Sequence, residues 1–308
     1  MSEVTVSGKF KRTDWNKNFL PTTAAVAGEW HSLFRGGGNP GADAIINTGT
    51  NLTWQQLKDT TTNATGIQHG GDVSPDYKVI LNASAYTAAA TTAPGMAMLV
   101  DLLGFYRVTS VTTITAQATT NTLVAFSTFT ADASTDILTH SNINLMNYSK
   151  VQVSSTTTLP AGLSAATNYF VIKVTDTTCK LATSYANAVA GTAINITDAG
   201  TGTHSINTLL PRYTDGAGVQ AFFVNSNATA LGAATPNLSL GYTRQDGTAS
   251  RATPTTLPIG KTAAANGLIL YSGTGAGKYG PFMPLQAPDA GIQSVETIQN
   301  STSYVSGE

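Results

Sequence analysis

Histidine, cysteine and the acids are the residues through which this chain could act chemically. Its four histidines are His31, His69, His140 and His204. Imidazole can serve as base, nucleophile or metal ligand near neutral pH. These four stand far apart and form no i, i+4 pair, so no local zinc set arises; they read as surface or turn residues. His69-Gly70-Gly71-Asp72 could hold a cation but reads as a turn. Only four glutamates exist, Glu3, Glu29, Glu296 and Glu308, so two-carboxylate glycosidase chemistry would rest on aspartates. Asp198 and Asp215 instead have the setting of turn residues that bond their own backbone. No G-x-S-x-G elbow is present. The lone Cys179 excludes an internal disulfide and a Cys-based metal site, and reads as a small buried filler.

One glycine motif invites a nucleotide reading. Gly275-Ala276-Gly277-Lys278-Tyr279-Gly280 matches G-x-G-x-x-G, a pattern that works by opening a helix whose N-terminal amides hold phosphate. Pro281-Phe282-Met283-Pro284 follows at once, and proline past the first helical position forbids that helix. A glycine turn is the reading. Neither catalytic residues, cofactor nor metal is expected, and the chain reads as non-enzymatic.

The elements that would position any site are strands. From Val151 to Ile206 apolar residues alternate at Val151/Val153, Tyr169/Val171 and Ile194/Ile196, between Pro and Gly breaks. Period-two alternation between breakers marks half-buried strands, and no helix fits between Leu159 and Gly202. Further strands are expected at Gly28 to Phe34, Lys78 to Ala85, Met96 to Val111 (one long bent strand or a pair, with Gly104 as a kink or bulge), Val219 to Val224, Asn237 to Thr243, and Gly267 to Tyr271. Asp215-Gly216-Ala217-Gly218 and Asp246-Gly247 read as turns. Thr53-Trp54-Gln55-Gln56 has capping-box spacing, which predicts a short helix from Trp54 to about Asp59.

Composition sets the wider frame. Of 308 residues, 11% are charged and 41% hydrophobic, against about 25% charged in an ordinary domain. Disorder does not fit so apolar a chain; burial of a neutral surface against neighbouring subunits does, as does β structure, which favours Thr. With 16 basic and 17 acidic residues, no electrostatic footprint for nucleic acid exists. The N-terminal cluster Lys9, Lys11, Arg12 and Lys17 reads as a solvated arm. No apolar run approaches the ~20 residues of a membrane helix, and no signal-peptide core opens the chain. Residues 112 to 135 become a Thr/Ala mixture, and a composition like that of the N-terminal third returns near Leu209. The organisation expected is therefore a split outer domain, 1–111 plus 208–308, with 112–207 inserted. The fold class is all-β: a sandwich or jelly-roll-like split domain carrying an immunoglobulin-sized sandwich of about seven strands.

The inserted stretch resembles a β domain that recurs in tailed-bacteriophage virion proteins. The matching residues are Phe129-Thr130-Ala131, Leu159-Pro160-Ala161-Gly162-Leu163, Asn168-Tyr169-Phe170-Val171-Ile172, Cys179-Lys180-Leu181-Ala182 and Thr197-Asp198-Ala199-Gly200-Thr201-Gly202-Thr203. Members commonly carry an aromatic where Cys179 stands. The flanks resemble a second phage group, structural proteins linked to the head. They do so through Leu102-Leu103-Gly104-Phe105-Tyr106, through Leu210-Pro211-Arg212-Tyr213-Thr214-Asp215-Gly216-Ala217-Gly218-Val219, and through Gly280-Pro281-Phe282-Met283-Pro284-Leu285 with Gly291-Ile292-Gln293-Ser294-Val295. In such relatives the first two motifs lie close in sequence, which implies an insertion between them. They often run longer at the C-terminus than Glu308.

These resemblances imply a virion protein, assembled in the host cytoplasm, that decorates or cements a capsid. Its partners would be the major capsid protein, other virion proteins and its own copies, with a trimer implied by the three-fold positions of capsids. No nucleic-acid or membrane partner is expected. Trp15, Phe19, Trp30 and Phe34 are the candidate anchors to a neighbour, with core packing as their alternative role. The rival reading is a tail fibre, spike or baseplate part with a receptor- or glycan-binding module.

Overall fold

The computed structural model describes residues 16–18, 30, 37–39, 49–57, 98–109, 112–225, 237–254 and 281–303. In chain order the elements are β1 (Asn16–Asn18), β2 (Gly37–Asn39), β3 (Trp54–Gln56), β4 (Gly104–Tyr106), β5 (Gln117–Ala118), β6 (Val124–Asp132) and β7 (Ile137–His140). There follow β8 (Lys150–Ser155), β9 (Tyr169–Lys173), β10 (Thr178–Ala182), α1 (Tyr185–Val189), β11 (His204–Thr208), β12 (Leu238–Arg244), β13 (Arg251–Ala252) and β14 (Ile292–Asn300). The described chain is all but wholly β, as expected.

Six strands close into a barrel in the order β10-β7-β6-β11-β8-β9, with β9 and β10 also paired. The stretch expected to form a sandwich thus forms a closed barrel, and closure leaves no unpaired edge along the wall. Alternation sets its inside: Phe129, Leu138, Val151, Val153, Tyr169, Val171, Cys179, Leu181 and Ile206 are all buried. Fully burying such a side chain stabilises by about 1.5–3 kcal/mol. The buried Tyr169 keeps its hydroxyl satisfied by accepting from the Ser164 amide at 2.7 Å. Two details differ from expectation. Ile194 and Ile196 lie in an extended segment outside any strand, and Ile196 still enters the core. The helix α1, a little over one turn, interrupts the stretch read as helix-free. It starts because the Ser184 hydroxyl accepts from the Asn187 amide at 3.1 Å, a short N-cap signal that strand alternation hides.

A second sheet has the order β13-β12-β14-β5. Leu238, Leu240, Tyr242, Ile292, Val295 and Ile298 bury one face of it, with Met283 packed against them. The Asp246-Gly247 turn joins β12 to β13, with Gly247 N–H donating to Arg244 O at 2.9 Å. The segment 219–224 runs extended but is not a strand; it is docked by Ile292 N–H on Val219 O and Met283 N–H on Ala221 O.

The predicted helix at Trp54 is instead β3, which pairs with β4. Tertiary partners override the local signal. The Gln56 amide reaches Leu209 O at 2.9 Å rather than the Thr53 backbone, and the Trp54 ring packs 5.0 Å from Tyr106. Of the long strand or strand pair expected from Met96 to Val111, the described part forms a strand only at β4. Gly104 there is not a kink: a Cβ would meet Gln55 O and the Trp54 ring, so glycine permits the close strand pair. The expected strands at Lys78 to Ala85 and Gly267 to Tyr271, and nearly all of that at Gly28 to Phe34, lie outside the described residues.

The ends of the barrel segment meet, since Val124 pairs with Thr208. Just beyond, Arg212 donates to Asp101 (2.6 and 2.8 Å), which brings the LLGFY and LPRYTDGAG motifs side by side. Residues 117–121 lie with the second sheet, where Thr119 and Asn121 donate to Val295 O.

Candidate functional site

The two motifs Leu159–Leu163 and Thr197–Thr203 fold onto one another at one end of the barrel. Thr158 and Thr201 exchange backbone bonds at 3.1 and 2.9 Å, and Thr197 N–H donates to Ala161 O at 3.2 Å. The Asp198 carboxylate accepts from its own turn at Gly200 N–H (2.9 Å) and from Ala161 N–H of the other motif (2.8 Å). The first bond is the expected turn contact; the second appears only in three dimensions. Gly200 has φ +66°, and a Cβ there would sit 2.6 Å from both Pro160 N and Thr158 O. That combination requires glycine.

His204 locks this clamp from below. One ring nitrogen lies 3.0 Å from Ser155 Oγ and the other 3.1 Å from Ala199 O, while the ring packs 5.3 Å from Phe129. Because a carbonyl only accepts, Nε2 carries the proton toward Ala199, and in the neutral ring Nδ1 accepts from Ser155. A Ser–His bond is the first requirement of an activated nucleophile. Here the group that orients the histidine is a peptide carbonyl, not a carboxylate, and Ser155 Oγ also contacts Thr201 O (3.1 Å) and Thr157 N–H (3.2 Å). The hydroxyl is committed to the clamp.

His204 and His140 correct the expectation of surface or turn histidines: both are buried, on β11 and β7. His31 and His69 lie outside the described residues. Burial holds the His140 imidazole below its ordinary pKa. Cys179 is fully buried, as expected, and burial pushes its thiol up to about 12. Among the described residues no group of three His, Cys, Asp or Glu side chains could hold a metal. Nor is any described helix long and apolar enough to cross a membrane.

The main ionic cluster sits on the second sheet. Asp289, with no exposed side-chain surface, accepts from Arg251 (2.8 and 3.0 Å), Arg244 (3.2 Å) and the Tyr242 hydroxyl (2.6 Å). Arg244 also forks onto Asp246. The Arg251 guanidinium leads in holding the Asp289 carboxyl low, and Arg244 holds that of Asp246 down at about 2. Burial leads in pushing the Tyr242 phenol up to about 12. Asp289 borders a shallow depression of about 270 Å³ with Gln220, Phe282 and Leu285. Its oxygens are already bound to cations, so it offers that depression neither a base nor a ligand.

Surfaces remain as the means of action. The outer wall of the barrel carries rows set in register: Thr178–Thr139–Thr130, Thr128–Ser205–Ser154 and Asn207–Gln152. They alternate with the buried Leu138, Phe129, Ile206 and Val153, which fixes their outward direction. None is charged. Near the motif junction Met98, Leu99, Met146 and Tyr213 are 39–50% exposed. Met146 N–H donates to Thr214 Oγ1 and Asp101 binds Arg212, so these apolar residues flank one bonded junction. Of the candidate anchors, Trp30 is half-buried, while Trp15, Phe19 and Phe34 lie outside the described residues, as do residues 275–280 and Lys9, Lys11 and Arg12.

Neither a family model, a curated protein nor a solved structure matches this chain.

Proposed function

We propose that this chain is a non-enzymatic bacteriophage virion structural protein, a decoration or cement subunit that binds a capsid surface. The observation that carries the reading is the neutral middle of the outer wall of β7, β6, β11 and β8, where the charged Asp132 and Lys150 stand only at strand ends. Protein interfaces deplete charge at their core, because desolvating an ion costs more than a new contact returns. A wall of Thr, Ser, Asn and Gln can be covered by another subunit without stranding a charge, and hydroxyls and amides pair readily across such an interface. The exposed Met98, Leu99, Met146 and Tyr213 add apolar area of the kind that association buries. The virion assignment itself rests on the sequence resemblances.

In this reading the barrel is a module inserted into a split β domain of sandwich or jelly-roll type, which contacts the capsid together with the arm carrying Trp15, Phe19, Trp30 and Phe34. The paired ends Val124 and Thr208 support an insertion, since a module whose ends meet enters a loop at small cost. The subunit would form a homotrimer at capsid three-fold positions.

The test is sizing and negative-stain imaging of the purified chain, followed by addition to stripped capsids. Compact closed oligomers that rebind capsids are the expected result. Elongated oligomers that bind cells and ignore capsids would move the protein to the tail. Release of reducing sugar from a bacterial polysaccharide would make it an enzyme instead.

A further inference from the structure

The clamped end of the barrel holds two buried histidines in one layer. His140 on β7 and His204 on β11 are each register-paired with Phe129 on β6, so one ring lies to either side of that phenylalanine. Both are about 5% exposed. They differ in their partners. The His204 ring meets Ser155 Oγ through one nitrogen and Ala199 O through the other. The His140 Nδ1 is buried and makes no hydrogen bond. A proton on His140 would sit beside an apolar ring, and the backbone of Asn142 only partly offsets the burial that disfavours it.

The ionisable neighbours do not relieve this. From β6 the facing residue is Phe129, and from the turn before β10 it is the Thr177 carbonyl, already taken by the His140 amide at 2.8 Å. Lys173 of β9 repels a second cation, with its ammonium held by Asp176 at 2.9 Å. Cys179 of β10 stays protonated. From β11 comes His204 itself, and from the capping loop Asp198, whose Oδ1 is held by two amides. Among the described residues no carboxylate is hydrogen-bonded to either ring.

We propose that this end of the barrel is an acid-operated latch: protonation of His140 frees β7 from Phe129 and loosens the clamp formed by residues 156–163 and 197–203. His204 ties Phe129 to the clamp through Ser155 and Ala199. The sign is fixed by burial. The open form takes the proton more readily, so opening is favoured as pH falls below the free-imidazole value of about 6.5. The carboxylates of the Asp289 cluster titrate far lower, which keeps the two acid responses apart.

The test is hydrogen exchange by mass spectrometry on the full chain at about pH 7.5 and about pH 5, corrected for the intrinsic rate change. Protection in peptides covering 137–141 and 197–206 should fall, by at most about thirtyfold, since pH 5 lies about 1.5 units below the free-imidazole value, while β12 and β14 stay unchanged. His140→Phe should abolish the change, and His204→Gln should retain it. Should His140→Phe not fold, the wild-type His140 resonance, followed by NMR, must titrate with the same midpoint as the exchange. An identical acid response in His140→Phe, no response over this range, or a titrating His140 without opening would each overturn the proposal.

Discussion

Replacing Asp289 with alanine should be the most damaging single polar change among the described residues. Its carboxylate has no exposed side-chain surface and gathers Arg251, Arg244 and Tyr242. Arg244 and Arg251 side chains are only 24% and 20% exposed, so water cannot fully replace the lost partner. Breaking a buried ion pair from one side costs about 3–5 kcal/mol, because the opposite charge is left uncompensated. Arg244 keeps Asp246, which puts the expected loss near the lower end, about 3 kcal/mol. At about 2–4 °C per kcal/mol for a domain of this scale, Tm should fall by roughly 6–12 °C. Calorimetry and urea titration of wild type, Asp289→Ala and Asp289→Asn would measure it, the amide retaining one acceptor and falling between. Acid should reproduce the loss. The Asp289 pKa is depressed in the fold, so its contribution is present above the unfolded carboxylate value of about 4 and disappears as pH falls through the lower folded value. A Tm within about 1 °C of wild type would refute the reasoning, since it would mean that the two guanidiniums are adequately solvated.

Gly200→Ala and Gly191→Ala make a matched pair, both at positive φ. Gly191 has open space, so alanine there should cost only the left-handed penalty of about 1–2 kcal/mol; Gly200 adds a clash with Pro160 and Thr158 backbone and should cost clearly more by urea denaturation. Equal losses would show that the clamp yields freely. Cys179 should be inert to a disulfide reagent at pH 8 until the barrel unfolds, as its thiol pKa is pushed up to about 12, and Cys179→Ser should cost about 1–3 kcal/mol for an unpartnered hydroxyl. Fast labelling of the native chain would contradict the closed barrel. Ser205→Lys, on the neutral wall, should leave stability within about 0.5 kcal/mol yet abolish capsid rebinding or self-association; unchanged assembly would remove that wall from the interface.

Most of the barrel could be read in advance, because strand alternation is a local signal. Val151/Val153 and Tyr169/Val171 named their inward faces, since successive side chains on a strand must point to opposite sides. Turns at Asp198, Asp215 and Asp246-Gly247 were legible for a similar reason: an Asx residue bonds its own backbone within two residues. Tertiary partners decided the rest. The Thr53-x-x-Gln56 spacing is a sound local helix signal, overruled by Leu209, more than 150 residues away, whose carbonyl accepts from the Trp54 indole N–H and the Gln56 side-chain amide. The second bond of Asp198, the burial of His140 and His204, and the convergence of Asp289, Arg244 and Arg251 each join residues distant in sequence, and no period or spacing encodes them. Closure into a barrel is of the same kind, because a strand is identical in sequence whether its neighbour completes a ring or a second layer. The amino-acid order thus fixed the all-β character, the neutral surface and the turn chemistry by itself. The pairing of strands, and with it the histidine layer and the loop clamp, follows from which distant backbones find each other once the apolar faces are buried.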